Sequence, residues 1–132
     1  MLEQRSIFIA EDEAYIALDL AFAVEDAGGR VVGPAASVAE ALALLETELV
    51  HGAILDVNLI DRDIAPVVAL LAERGVPMVL QSGKGLPSEL AARFPDLTVH
   101  FKPCTSERLI GELAVMLGTR DVCQSRGNGA AA

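Results

Sequence analysis

The stretch Gly52-Ala53-Ile54-Leu55-Asp56 indicates the fold class of this chain. Its apolar residues run without interruption, which is typical of a central strand that a parallel sheet buries on both faces. Asp56 follows that strand directly. Because open α/β sheets place their sites at the carboxyl ends of the strands, Asp56 is a candidate site residue.

Three other apolar, strand-like runs also end in polar residues. The residues that follow them are Glu11 and Asp12 after 6–10, Ser82 after 78–81, and Lys102 after 98–101. Parallel strands of one sheet would gather all five polar side chains at a single edge. Each residue alone has an ordinary explanation, such as a helix start or a turn, but their joint occurrence at four strand ends predicts a shared site.

The rest of the chain alternates between strand-length and helix-length apolar clusters, which predicts repeated βα units around a parallel sheet. The predicted strands are 6–10, 30–33, 52–55, 78–81 and 98–101. Five helices are predicted. The first ends at Gly28-Gly29, and the second begins at a capping box formed by Ser37 and Glu40. The third and fourth span 63–74 and 88–93, and the fifth begins at Thr105 or Ser106. One domain therefore covers residues 1–118, and the polar, Gly/Ala-rich residues 119–132 are expected to form a disordered tail.

Length and composition narrow the functional classes. The 132 residues suit one domain with a substantial core, since 52% of them are hydrophobic. The net charge of −9, without a Lys/Arg cluster, argues against nucleic-acid binding. The chain has no apolar run of about 18 residues and no secretory signal pattern, so we expect a cytoplasmic protein that does not bind membranes. Cys104 and Cys123 lack the spacing of zinc ligands and are expected to be reduced thiols.

The strand-end residues suit phosphoryl transfer. Carboxylates of Glu11, Asp12 and Asp56 within about 4 Å of one another would repel by about 4 kcal/mol per pair at an effective dielectric constant of about 20. Mg²⁺ would offset this repulsion, since it takes one or two carboxylates, several waters and a phosphate oxygen as ligands. Lys102 can neutralise a further charge, and the Ser82 hydroxyl can donate to an incoming oxygen. Asp56 is then the natural nucleophile and would become an aspartyl phosphate.

In the order and spacing of these residues the chain resembles the receiver domains of two-component response regulators. The matching features are the acidic pair Glu11-Asp12, the Leu55-Asp56 acceptor, Ser82 and the Lys102-Pro103 dipeptide, within residues 5–118. The segment Leu80-Gln81-Ser82-Gly83 is similar to the Phe-Ala-Thr-Gly motif at strand four of an alphaproteobacterial group of receivers, which lacks the usual switch aromatic and includes stand-alone forms.

The resemblance implies both a fold and a set of roles. The fold is α/β and flavodoxin-like (CheY-like), a doubly wound, five-stranded parallel sheet of order 2-1-3-4-5 with helices one and five on one face and the other three on the opposite face. The implied roles are Asp56 as phosphoacceptor; Glu11, Asp12, Asp56 and the backbone carbonyl of Asn58 as Mg²⁺ ligands; Ser82 and Lys102 as ligands of the phosphoryl oxygens; and Asn58 and Lys84 as modulators of the acyl-phosphate lifetime. The Lys102-Pro103 bond is expected to be cis.

The implied function is that of a single-domain response regulator and not of an enzyme with other substrates. A histidine kinase or a histidine phosphotransfer protein would supply the phosphoryl group. The chain would then signal by phosphorylation-dependent binding of an unidentified downstream protein, or serve as a phosphate sink. Both a monomer and a phosphorylation-dependent dimer fit this function.

Two departures from the family pattern concern the route from the site to the surface. Val99 stands where the family usually has its switch aromatic, so the familiar coupling of hydroxyl and aromatic rotamers cannot operate in its usual form. The Met-Pro and Gly that often follow the acceptor are replaced by Leu59-Ile60-Asp61-Arg62-Asp63. The chemistry at the sheet edge is complete, whereas the output route differs.

Three other functions compete with this one. A phosphatase of the haloacid-dehalogenase type uses an Asp two positions after the nucleophile as general acid, but that residue here is Asn58, which cannot titrate. A flavodoxin-like flavin carrier needs a Ser/Thr/Gly-rich phosphate loop where this chain has Glu11-Asp12-Glu13. A receiver-fold interaction module without phosphorylation stays open, although the intact set of five site residues disfavours it.

Overall fold

A computed structural model describes the backbone of residues 1–131 and the side chains of residues 1–118. Strands and helices alternate in the order β1 Ser6–Ala10, α1 Ala14–Asp26, β2 Arg30–Ala35, α2 Val38–Thr47, β3 Gly52–Asp56, α3 Ala65–Glu73, β4 Met78–Ser82, α4 Ser88–Arg93, β5 Thr98–Phe101 and α5 Ser106–Ala131. The predicted alternation is confirmed. The predicted disordered tail, 119–132, lies outside the residues described with their side chains, and it stays a prediction.

All five strands are parallel and form one sheet of order β2-β1-β3-β4-β5, which is the order that the resemblance implied. The central strand β3 is buried along its whole length. Strands β3 and β4 each run one residue further than predicted, because Asp56 pairs with Gln81 and Ser82 pairs with Phe101. The strand ends that carry the polar residues therefore lie side by side.

Strand β2 extends to Ala35, two residues further than predicted. At Gly33 the φ angle is +102°, and a Cβ there would lie 2.7 Å from the carbonyl oxygen of Ile9, so only glycine fits. The register with β1 shifts at this point, and pairing resumes between Ala10 and Ala35. The Gly33-Pro34 and Lys102-Pro103 bonds are both cis, the second as the resemblance implied.

The helices cover the two faces of the sheet as separate layers. One core packs α2, α3 and α4 against the sheet, with buried residues that include Val38, Leu45, Val67, Leu71 and Leu90. The other core packs α1 and α5 against the opposite face, with Leu20, Val24, Leu109, Leu113 and Leu117. This division of the helices confirms the arrangement that the resemblance implied. Among the described residues, no helix is both long and apolar enough to cross a membrane.

Side chains near the starts of α2 and α3 accept hydrogen bonds from backbone N–H groups. Ser37 Oγ accepts a hydrogen bond from the Glu40 N–H at 3.0 Å, as the predicted capping box requires. Helix α3 begins at Ala65, two residues later than predicted, and its N-cap residue, Ile64, provides no side-chain cap. Asp63 Oδ1, just before it, accepts a hydrogen bond from the Ala65 N–H at 3.0 Å. Pro66 lies in the first turn of α3, where its missing N–H has no helical partner to lose.

Candidate functional site

Three carboxylates meet at the carboxyl edge of the sheet. Glu11 and Asp12 follow β1, and Asp56 is the last residue of the neighbouring strand β3. One oxygen from each of these residues lies within 4.8 Å of the other two. Glu11 and Asp56 are buried, whereas Asp12 is exposed. The predicted acidic cluster therefore forms, and its open side is at Asp12.

Lys102, which follows β5, contacts two of these carboxylates. Its Nζ lies 3.0 Å from Asp56 Oδ2 and 3.4 Å from Glu11 Oε1. The backbone N–H of Lys102 donates to the Ser82 carbonyl oxygen at 2.9 Å, which holds the lysine beside the end of β4. Burial acts to lower the pKa of Lys102, but the hydrogen bond and charge of Asp56, together with those of Glu11, outweigh burial and raise the pKa. Lys102 is therefore a stable cation within the site.

Both carboxylate oxygens of Glu11 accept hydrogen bonds from the protein. Gln81 Nε2 donates to Oε1 at 2.9 Å, and the Glu13 N–H donates to Oε2 at 3.1 Å. Burial, followed by the hydrogen bond and charge of Asp56, raises the pKa of Glu11 to about 7, although the Glu13 N–H and Lys102 act in the opposite direction. One lysine thus does not fully offset the negative charge of the cluster.

The loop after Asp56 is held at two points. The Asn58 N–H donates to Asp56 Oδ1 at 3.3 Å, which places this peptide unit beside the Asp56 side chain. Further along the loop, Asp61 accepts hydrogen bonds from the backbone N–H groups of Val38 and Ala39, at 2.8 Å and 3.1 Å. Asp61 therefore caps α2 from outside the helix, and this cap orders a loop that lacks the usual Met-Pro and Gly.

Ser82 lies at the end of β4, and its hydroxyl is engaged within the following loop. Ser82 Oγ donates to the Gly85 carbonyl oxygen at 2.9 Å and accepts a hydrogen bond from the Lys84 N–H at 3.0 Å. Gly85 has a φ of +83°, which turns the loop back toward the strand end. Lys84 is itself exposed. The Ser82 hydroxyl must turn away from Gly85 to reach a group on Asp56.

The predicted switch position holds an aliphatic side chain packed inward. Val99 is partly buried against the core that contains α2, α3 and α4. Phe101, two residues further along β5, is 67% exposed. A Cβ on Gly85 would lie 3.6 Å from Phe101 Cε1, so the loop that engages Ser82 rests on this ring. An aromatic ring thus contacts the loop from a different position than the one usual in the family.

Gln81 is the site residue that the sequence analysis missed. It is only 2% exposed, and it follows the apolar residues Met78, Val79 and Leu80 in a strand that is buried throughout. A buried amide is unfavourable unless it is hydrogen-bonded. A polar residue within a buried strand therefore predicts a polar partner nearby, and that signal was present in the sequence.

A groove of about 530 Å³ adjoins the site on the side of α1 and α5. Its lining includes Tyr15 and Asp19 from α1 and Ser106 from α5. Ser106 Oγ donates to Asp19 Oδ2 at 2.5 Å, which joins the two helices along the groove. Gln81 and Lys102 also line the groove, and both contact carboxylates of the acidic cluster.

The acidic cluster fits a magnesium ion. Mg²⁺ takes oxygen ligands, including one or two carboxylates, and retains several waters. Asp56 on the inner side and the exposed Asp12 on the outer side offer such oxygens, and the exposure of Asp12 leaves room for water. The three carboxylates of the predicted donor set therefore lie together, whereas the role of the Asn58 carbonyl stays a prediction.

Comparison with solved structures yields receiver domains. A response regulator receiver protein from Sinorhizobium medicae WSM419 is 30% identical over 91% of this chain and 99% of that chain, with a TM-score of 0.77. The BeF3-activated conformation of SdrG from Pseudomonas melonis Fr1 is 37% identical over 89% of this chain and 99% of that chain, with a TM-score of 0.66. The response regulator PhyR from Brucella abortus is 27% identical over 96% of this chain but 53% of that chain, with a TM-score of 0.79. No protein-family model and no curated protein matches the chain.

Proposed function

The chain belongs to the response regulator receiver family, and we propose that it is a single-domain response regulator that accepts a phosphoryl group on Asp56 in the presence of Mg²⁺. The observation that carries this proposal is the position of Lys102 Nζ, 3.0 Å from Asp56 Oδ2, beside the acidic cluster. A carboxylate that is to become an acyl phosphate needs a cation close to the oxygens of the transferred group. Lys102 supplies that cation.

The nucleophile in the transfer is a carboxylate. A carboxylate oxygen of Asp56 attacks the phosphorus of a phosphohistidine, the P–N bond of the donor breaks, and the donor imidazole keeps the electron pair. Mg²⁺, held by Asp12, Asp56 and the Asn58 carbonyl with Glu11 beside them, would neutralise charge on the phosphoryl oxygens. Lys102, whose Nζ lies 3.0 Å from Asp56 Oδ2, would stabilise the same charge.

The response to phosphorylation is assigned to Ser82 and to the segment that follows it. Turning the Ser82 hydroxyl from the Gly85 carbonyl toward the phosphoryl group would release a hydrogen bond of 2.9 Å that now shapes the loop. That loop leads into α4 and rests on Phe101 of β5. A new charge at Asp56 would therefore bias the arrangement of this loop, α4 and β5.

The partners of this function follow from its chemistry. A histidine kinase or a histidine phosphotransfer protein would be the donor in the cytoplasm, and an unidentified downstream protein would bind the phosphorylated form. A phosphate sink needs only the donor. The reaction would be self-phosphorylation and self-dephosphorylation, and the family resemblance assigns Asn58 and Lys84 to adjusting the lifetime of the acyl phosphate.

Acetyl phosphate tests the proposal without knowledge of the donor. With Mg²⁺ the intact protein should gain the mass of one phosphoryl group, and a chelator should prevent the gain. Asp56→Ala should gain nothing, whereas Asp96→Asn, which removes an exposed aspartate far along the chain, should behave as the original protein. A metal-dependent gain that persists in Asp56→Ala, or no gain in the original protein, would contradict the proposal.

A receiver-fold interaction module without phosphorylation is the second candidate. Val99, aliphatic and packed inward at the usual switch position, is the observation that favours it. Absence of any phosphoryl gain, together with partner binding that is unaffected by Asp56→Ala, would support this candidate. An Asp-nucleophile phosphatase is disfavoured because Asn58 cannot serve as general acid, and turnover of an aryl phosphate would be its signature.

A further inference from the structure

We propose that Gln81 is a positioning residue for the metal site, which acts by holding the carboxylate of Glu11 in place. The amide of Gln81 comes from β4, 70 residues along the chain from Glu11, and donates to Glu11 Oε1 at 2.9 Å. When Glu11 is ionised, as a bound cation would keep it, the nitrogen of the amide, and not its oxygen, faces the carboxylate. The inference rests on the Mg²⁺ site of the proposed function.

The environment of Gln81 indicates that this contact is specific. The residue is 2% exposed and belongs to a strand whose residues are all buried. An amide in such a position is destabilising without a hydrogen bond. An apolar residue at this place would avoid that penalty, as Val79 does two residues earlier on the same face of the strand. The presence of a buried amide at this position is therefore explained by its hydrogen bond to Glu11, which holds the carboxylate in place.

Gln81 differs from the other donors to Glu11. Lys102 also contacts Glu11 Oε1, but at 3.4 Å, and it lies closer to Asp56, at 3.0 Å. A phosphoryl group on Asp56 would draw the lysine further toward that residue. The Glu13 N–H occupies the other oxygen, Oε2. We therefore expect Gln81 to donate its hydrogen bond to Glu11 Oε1 both with and without a phosphoryl group on Asp56.

The consequence concerns the affinity for metal. A carboxylate held in one orientation presents its charge to the cation site without first being ordered, whereas a free one must be ordered on binding. Loss of residues that orient metal ligands typically weakens metal binding by about 10-fold to 100-fold. Gln81→Met keeps the approximate volume of the side chain and removes the donor, so it should weaken Mg²⁺ binding by about 10-fold.

Titration calorimetry of the full, unphosphorylated chain with Mg²⁺ tests this inference directly. Gln81→Met should raise the dissociation constant for Mg²⁺ by about 10-fold. In phosphorylation by acetyl phosphate, the half-saturating Mg²⁺ concentration should rise by the same factor, while the extent of modification at saturating Mg²⁺ stays unchanged. The matched control is Val79→Ala, which removes buried side-chain atoms on the same face of β4 without touching a hydrogen bond to Glu11. It should leave the Mg²⁺ affinity unaltered.

Each outcome decides the inference. Equal Mg²⁺ affinities of Gln81→Met and the original protein would overturn it, as would an equal loss in Val79→Ala or the absence of Mg²⁺ binding by the original protein. If Gln81→Met does not fold, Gln81→Thr serves in its place, because threonine suits a strand and is too short to reach Glu11 Oε1. It should weaken Mg²⁺ binding by the same factor. An original protein that binds Mg²⁺ but takes no phosphoryl group would refute the proposed function, and the calorimetric comparison would still decide the role of Gln81.

Discussion

Asp61, in the loop that follows the acceptor strand, caps α2 by accepting a hydrogen bond from the backbone N–H of Val38 at 2.8 Å. The two residues are 23 positions apart, so the cap joins a loop of the site to a helix that precedes it in the chain. The hydrogen bond from the Val38 N–H contributes most to lowering the pKa of Asp61. Burial opposes it, and the backbone N–H groups of Ala39, Asp61 and Arg62 lower the pKa further. The ionised form of Asp61 therefore stabilises the folded state.

Asp61→Asn should lower the midpoint of thermal unfolding by a few degrees at pH 7. The pKa of Asp61 is lowered from its ordinary value of 3.8. The stability that ionised Asp61 contributes is therefore fully present above pH 3.8, and it is lost as the pH falls through the lower pKa of the folded state. The difference between the two proteins should therefore shrink in acid. Asp96→Asn removes the same charge from an exposed position and should change little at either pH. A constant difference down to the acid limit would contradict the role assigned to Asp61.

The raised pKa of Glu11 predicts an opposite pH dependence for the metal-free protein. Between the ordinary value of 4.5 and the folded-state value of about 7, the folded protein binds more protons at Glu11 than the unfolded chain does, so stability falls as the pH rises. This loss amounts to on the order of 3 kcal/mol. Glu11→Gln should remove most of it, which chemical denaturation at pH 5 and pH 8 would show.

Mg²⁺ provides the control for the Glu11 prediction. A bound cation favours the carboxylate form of Glu11, so saturating Mg²⁺ should flatten the pH dependence of the original protein and have a smaller effect on Glu11→Gln. If, without Mg²⁺, the free energies of unfolding of the two proteins fall by the same amount from pH 5 to pH 8, another group causes the loss of stability.

Lys102→Met should destabilise the metal-free protein because it leaves Asp56 and Glu11 without their cation. Breaking a fully buried pair typically costs about 3–5 kcal/mol. The Lys102 side chain is 26% exposed, so we expect a smaller loss, about 2 kcal/mol at pH 8. The loss should be less at pH 5, where Glu11 is protonated. Urea denaturation measures both values, and Lys84→Met, at an exposed lysine, serves as the control.

Asn58 and Lys84 should set the lifetime of the acyl phosphate. The Asn58 N–H already contacts Asp56, and Lys84 follows Ser82 by two residues in the loop beside the site. Substitution of both residues by alanine should change the dephosphorylation rate several-fold, since the family resemblance implies that these positions modulate hydrolysis of the acyl phosphate. The rate is measured by loss of the phosphorylated mass after removal of acetyl phosphate. An unchanged rate would remove both residues from the site.

Much of the fold and of the site was predictable because it depends on local pattern. Uninterrupted apolar strands, the capping box at Ser37 and the glycines after α1 are each contained in a few neighbouring residues. The gathering of Glu11, Asp12, Asp56 and Lys102 at one edge followed from the geometry of parallel strands. The strand order required the family resemblance, since the local pattern is compatible with several windings.

The features that were missed depend on side chains distant in sequence. The contacts of Gln81 with Glu11 and of Asp61 with Val38 span 70 and 23 residues, and no local periodicity encodes them. The extension of β2 was missed because the geometry at Gly33 depends on the close approach of Ile9 in the adjacent strand. In each case the partner is known only once the sheet is formed.

Tyr15, at the mouth of the groove beside Lys102, is the one tyrosine of the chain, and the chain contains no tryptophan. Its side chain is 85% exposed, so its emission is governed largely by water and by whatever occupies the groove. The protein consequently has a natural optical label in the groove that Lys102 also lines. Docking of a partner over α1 and α5 can be followed through the fluorescence of this single residue, with no dye and no engineered chromophore.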